Sequence, residues 1–226
     1  MRPILLGLLT CGFAVQMLAA DEDAQRLKAA SETLQEIMST PDKSIPDSLF
    51  NKAECVIIIP GMKKAGFIFS GKYGRGYASC RTKTGGWTDP AGMRIEGGGF
   101  GFQAGGSETD LVLLVMSRKG MNGLLTSKFT LGGEASVAGG PVGRDATAQT
   151  DATMRADILS WSRSRGVFAG ISLQGGTLRP DDSANEGLYG QKVTSKAILS
   201  GRFNKPLASD TLKTELEKYG GSAPLK

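Results

Sequence analysis

Apolar side chains at Leu27, Ala30, Leu34, Ile37 and Met38 recur at spacings of three and four. That period predicts an α-helix over residues 23–38 with one apolar face. Acidic residues crowd its first turn, where they complement the helix dipole, and Pro41 ends it. Its charged side is mainly acidic and would be repelled by anionic lipid, so the apolar face is expected to dock on the domain's own core. A short helical turn is predicted over 46–53. The pattern then changes. Residues 55–59 form a β-branched run bounded by Pro60 and Gly61, which reads as a buried strand. Residues 66–70 and 77–81 read as the next two strands of an antiparallel meander. Lys63, Lys64, Lys72 and Arg75 then fall on its turns.

Residues 97–106 read GGGFGFQAGG. As a strand, this segment puts Phe100 and Phe102 on one face and Gly99 and Gly101 on the other. The bare face would let a backbone or ligand approach closely. The run lacks the Lys-Ser/Thr ending of a phosphate loop, so it does not indicate nucleotide binding. Residues 111–116 are a fully apolar strand, after which Ser117 can cap a short helix reaching Leu125. Residues 129–138 read as further strand, and 139–144 as a turn. Segments 158–164 and 167–173 flank Arg165-Gly166, a hairpin signal. Thr194 caps a predicted helix over 195–200, with Val193 stapled onto Ile198 and Gly201 at its end. A last helix follows Pro206, with Leu207, Leu212 and Leu216 inward. Neither a linker nor a repeat divides the chain. The expected fold is a single α+β domain: a Gly-rich, mainly antiparallel sheet or barrel packed with several short helices.

The first twenty residues differ from the rest. Arg2 precedes an uncharged, largely apolar stretch that closes on Ala19-Ala20, and acids begin at Asp21. This reads as a secretory leader over 1–20. The implied protein is exported, periplasmic or secreted, and peripheral to the membrane. The chain carries 27 basic and 22 acidic residues. The excess is uneven, because residues 61–83 hold Lys63, Lys64, Lys72, Arg75, Arg81 and Lys83 and no acid. Such asymmetry suggests a basic face for an anionic partner, or simply a solvated surface. Histidine is absent, which removes the usual Ser-His-Asp and Cys-His arrangements and the commonest metal ligand. Cys55 and Cys80 either pair, as an oxidising compartment permits, or sit as buried thiols.

Seven glycine-rich segments occur in a fixed order. They are KKAGFIFSGKYGRG from Lys63, GWTDP from Gly86, GGGFGFQAGGSETDLVLLVM from Gly97, LGGEASVAGGPVGR from Leu131, LSWSRSRGVFAGISLQGG from Leu159, NEGLYG from Asn185 and AILSG from Ala197. Together they resemble the SYLF domain family over about residues 45–220, within a domain spanning 21–226. The resemblance implies binding of phosphoinositides and other anionic phospholipids and, in the yeast members, of actin filaments. It implies neither enzymatic activity nor a cofactor. Two departures limit it: the chain shows neither the Src-homology-3 nor the FYVE module of eukaryotic members, and its N-terminal helix is acidic where theirs is basic.

The leading expectation is therefore non-enzymatic binding of anionic lipid through Lys63, Lys64, Lys72, Arg75, Arg81 and Lys83. The alternative is a protein-interaction or structural module, with Trp87 or Trp161 as exposed anchors unless both are core. For catalysis, Asp110, Arg144, Asp145, Asp151 and Tyr189 have no recognisable spacing. Asp181, Asp182, Asn185 and Glu186 could offer oxygens to calcium, but their spacing is not that of an EF-hand, and a solvated loop is the expectation. Export argues against nucleic acid as partner.

Overall fold

The computed structural model describes residues 6–40, 45–66, 69–100, 105–142, 155–164, 167–171, 173, 175–207 and 210–221. Helix α1 (Leu6–Ser39) runs unbroken through the Ala20–Asp21 boundary. The short helix α2 (Asp47–Phe50) leads into four long strands: β1 (Cys55–Gly66), β2 (Phe69–Cys80), β3 (Ala91–Phe100) and β4 (Gly105–Val115). Helix α3 (Arg118–Leu124) follows, then β5 (Phe129–Thr130), β6 (Val137–Gly139), β7 (Ile158–Ser164), β8 (Val167–Gly170) and β9 (Thr177–Pro180). Helices α4 (Asp182–Tyr189), α5 (Ser195–Leu199) and α6 (Thr211–Gly220) complete the chain. The strands form one curled sheet in the order β5-β9-β3-β2-β1-β4-β7-β6, with β8 also on β7. All pairs are antiparallel except β6 with β7.

Strand alternation gives the sheet two apolar faces. Ile57, Ile59, Met93, Ile95, Leu111 and Leu113 point to a core closed by α3, α5 and the segments around Leu131 and Leu173. Val56, Ile58, Tyr77, Val112 and Leu114 point the other way, onto α1 and α6. Leu27, Ala30, Leu34 and Ile37 are all buried there, so the helical face read from the sequence docks inward. The helix is pinned by polar contacts as well. The Tyr77 hydroxyl donates to the Asp23 carbonyl at 2.8 Å, and Arg75 Nη2 on β2 lies 3.8 Å from the Asp23 carboxylate.

Several expectations change. Pro60-Gly61 is not a turn but a bulge inside β1, marked by a register shift between Ile58 and Lys63 on the β2 side. The Gly61 amide, freed from the ladder, donates to Asp110 Oδ1 at 2.8 Å. Residues 69–70 and 77–80 of the two strands predicted over 66–70 and 77–81 belong to one strand, β2, while Gly66 closes β1, so Lys72 and Arg75 are strand residues. The glycine run 97–106 is not a single strand either. β3 ends at Phe100 and β4 begins at Gly105, and the two flank the β1–β2 pair; Gly101 and Phe102 lie outside the described residues. Segment 129–138 gives two short strands that pair elsewhere.

The loop expected around Asp181 is helix α4. Asp181 caps it, and Gly190 ends it at φ 65°. The caps at Ser117 and Thr194 are where the sequence placed them, accepting from Gly120 and Ala197 amides. Cys55 and Cys80 are register partners on β1 and β2 and form a disulfide.

Candidate functional site

The central four strands stand in the order β3-β2-β1-β4, and one end of them extends past the packed cores. Register fixes which residues lie level there. One row runs Gly98, Gly71, Ala65 and Gly106 across all four strands, and all four residues are exposed. The next row on the same face is Glu96, Tyr73, Lys63 and Glu108. Tyr73 is 50% exposed, far more than any core aromatic. The opposite face carries Gly97, Lys72, Lys64 and Ser107.

Thirty-two glycines are present, and they serve different ends. A Cβ on Gly76 would sit 2.0 Å from the Ile58 carbonyl oxygen, and one on Gly140 would sit 2.0 Å from the Trp161 ring. Packing demands glycine at those positions. A Cβ on Gly71 would meet nothing within 4 Å, and one on Gly106 only the Lys64 carbonyl at 3.9 Å. Neither has the positive φ that would exclude other residues. Glycine inside a strand costs about 0.5–1 kcal/mol relative to alanine. Local packing does not account for that cost here, and the result is a row about 15 Å across at the usual strand spacing on which the Ala65 methyl is the largest side chain.

The six basic residues do not form one patch. Lys64 and Lys72 are cross-strand partners on one face, while Lys63 is on the other. Burial, and then Lys64, pull the Lys72 pKa below its usual range. Arg75 is turned toward the helices, with Nε 2.5 Å from Asp181 and Nη2 3.8 Å from Asp23. Arg81 is 5% exposed, in the core beside α6. It donates to the carbonyls of Ala53 and Gly220 and stacks on Trp87. Lys83 lies beyond the far end of β2, and about 27 Å of strand separates Lys72 from Cys80 at 3.4 Å per residue. The sequence interval is continuous, but a long strand spreads it over both faces and both ends.

Other candidates resolve into structural roles. Asp110 accepts from Gly61 and from Arg163, whose Nε is 2.6 Å away. The Tyr189 hydroxyl donates to Pro90 at 2.7 Å. Arg144, Asp145 and Asp151 lie outside the described residues. Asp181 is occupied by Arg75 and the α4 cap, Asp182 accepts from Ser195, and Asn185 joins Gly92 to Ser195 and Val193. No group of three potential metal-ligating side chains occurs among the described residues. Trp87 and Trp161 are 2% and 0% exposed, so they are core rather than anchors. No helix among the described residues is long and apolar enough to cross a membrane.

A family model described as "Ysc84: Las17-binding protein actin regulator" matches residues 96–219, from β3 through α6. Protein YSC84 of Saccharomyces cerevisiae is 38% identical over 181 residues, covering 78% of this chain and 38% of the yeast protein. LAS seventeen-binding protein 3 of the same yeast is 38% identical over 181 residues, covering 78% of this chain and 39% of its own length. The human SH3 domain-containing YSC84-like protein 1 is 32% identical over 180 residues, covering 79% and 52%. This chain thus spans between about two fifths and one half of these relatives. One of these relatives is named for binding LAS seventeen, and the family-model match takes in the second half of β3, strands β4 to β9 and the helices after α2. The chain belongs to the Ysc84 family, the family of the SYLF domain.

Proposed function

We propose that this chain is a non-enzymatic binding module whose ligand is another protein, held on the bare end of the β3-β2-β1-β4 sheet. The observation that carries the reading is the exposed row Gly98, Gly71, Ala65 and Gly106, open above Gly71 and Gly106. A backbone or a flat protein surface can approach such a row more closely than any side-chain-bearing strand. The family description, which names Las17 and actin, favours a protein ligand. The test is co-sedimentation with actin filaments and pull-down with Las17, comparing the wild type with Gly71→Val/Gly106→Val. The Cβ meets nothing within 4 Å at position 71 and only the Lys64 carbonyl at 3.9 Å, an ordinary contact, at position 106, so the fold should persist while binding falls. A wild type that binds neither protein removes the reading, as does a double variant that binds normally.

A second reading, binding of anionic phospholipid, is favoured by the Lys64–Lys72 pair on the opposite face. Two level cations gain from a shared anion. Liposome co-sedimentation with Lys64→Glu/Lys72→Glu tests it, with loss of binding expected only on anionic vesicles and unchanged binding counting against it. Export as a periplasmic or secreted protein peripheral to the membrane belongs to the same proposal and rests on the leader-like residues 1–20.

A further inference from the structure

Three arginines stand level on three neighbouring strands. Arg75 on β2 is the register partner of Arg94 on β3, and Arg94 is the partner of Arg179 on β9. Directly opposed residues in an antiparallel pair lie about 5 Å apart at Cβ, where like charges repel. The outer two are neutralised: Arg75 pairs with Asp181, and Arg179 pairs with Glu96. Arg94, between them, is half-buried and has no ion pair or hydrogen-bonding partner for its side chain among the described residues. A partly desolvated guanidinium flanked by two others and lacking a carboxylate is a local surplus that an incoming anion would relieve.

The surroundings narrow the anion. Glu96 and Glu108 stand in the next row on the same face, at the two sides of Tyr73 and Lys63. Glu96 is already held by Arg179, and the exposed Glu108 opposes a dense anionic surface while leaving room for one discrete carboxylate. The glycine-rich row begins at Gly98, four residues along β3 from Arg94, or about 13 Å away. An extended peptide of about four residues bridges that distance. Resting on the protein-binding reading above, we propose that Arg94 receives a carboxylate of an acidic polypeptide laid across Tyr73 and the Gly98–Gly71–Ala65–Gly106 row. The planar guanidinium grips the carboxylate through two hydrogen bonds, and the bare row accepts the peptide backbone beyond it.

The test uses the full chain with ¹⁵N-labelled arginine and a ten-residue peptide alternating Glu and Ser. Matched Gln-Ser and Lys-Ser peptides, inorganic phosphate and phosphatidylserine vesicles serve as the other arms. The Arg94 Nε resonance, assigned with Arg94→Gln, should shift with the Glu-Ser peptide and not with the Gln-Ser or Lys-Ser peptides. Arg94→Gln should weaken that peptide about tenfold, Arg94→Lys less, and Gly71→Val should weaken it while leaving the thermal transition unchanged. A Glu-Ser peptide that leaves the Arg94 resonance unmoved, or binds Arg94→Gln as tightly as wild type, overturns the proposal. So does an Arg94 response confined to phosphate or to vesicles. The protein-binding reading fails separately: if a protein partner binds in a Gly71-dependent but Arg94-independent way, that reading stands and only the acidic-peptide assignment falls.

Discussion

Replacing Arg81 with methionine removes a guanidinium that ties three separate segments together. Nε donates to the Ala53 carbonyl at 2.9 Å, after α2. Nη2 donates to Gly220 at 2.8 Å, at the end of α6, and to Phe50 at 3.4 Å. The guanidinium carbon also lies 4.4 Å from the centre of the Trp87 ring. Methionine retains the apolar stem but offers no donor. Each buried carbonyl left short of a donor costs about 1–3 kcal/mol, and losing the cation–π contact costs about 0.5–2 kcal/mol more. The Ala53 and Gly220 bonds have the better geometry, so the expected loss is about 3–5 kcal/mol. A domain of this kind has only about 5–15 kcal/mol in total. Urea unfolding followed by tryptophan fluorescence gives the difference, provided that the slopes agree. Hydrogen exchange should localise it, with α6 amides losing protection first. An Arg81→Met protein within about 0.5 kcal/mol of wild type would refute the reasoning. So would one that keeps its stability but loses ligand binding, because that result would return Arg81 to a binding surface.

Reducing the Cys55–Cys80 disulfide should destabilise the domain by about 3.5 kcal/mol from loop entropy alone, given a sequence separation of 25. Titration of the denatured, unreduced protein should find neither Cys55 nor Cys80 reactive. Gly76→Ala should cost more than about 2 kcal/mol because its Cβ meets backbone, whereas Gly71→Ala should be neutral or gain up to about 1 kcal/mol; paired denaturation curves decide this. Asp210 caps α6 through Oδ1 while its buried Oδ2 has no partner among the described residues, and burial raises its pKa. A raised carboxyl pKa in the folded state means that ionisation penalises folding as pH climbs from the unfolded value through the folded one. Asp210→Asn, which can keep the cap, should therefore be more stable than wild type at pH 7 and lose that advantage below about pH 4. Asp181 has the opposite sign, because hydrogen bonds from Arg75 and Ser183 outweigh desolvation and lower its pKa. Its contribution should be full above the unfolded carboxylate range and disappear as pH falls through the lower folded value. Asp181→Asn should narrow the gap between stability curves recorded at pH 5 and pH 2.

Local periodicity and local chemistry determined much of this protein. The face Leu27–Ala30–Leu34–Ile37, the caps at Ser117 and Thr194, the β7–β8 hairpin, and the α+β class with one curled sheet all follow from side chains within a few positions of one another. The ordered glycine motifs determined the family, since their spacing survives without reference to contacts. Helix α4 was also within reach of the sequence: Asp181 and Gly190 are its cap signals, but read as oxygen donors they suggested a loop. Three matters were decided only by tertiary structure. The bulge at Pro60-Gly61 extends β1 because Asp110, a distant residue in sequence, satisfies the freed amide. Burial decided that Arg81 serves backbone carbonyls, since no local pattern reveals that α2 and α6 converge on it. Strand pairing decided which basic residues can act together. Alternation separates Lys63 from Lys64 by a whole face, and register brings Arg75, Arg94 and Arg179 level from far apart in sequence. The same is true of Gly71 and Gly76. Both are strand glycines with nothing in their own sequence to tell them apart, and only the neighbouring strand and the empty space beyond it make one a packing requirement and the other an open surface.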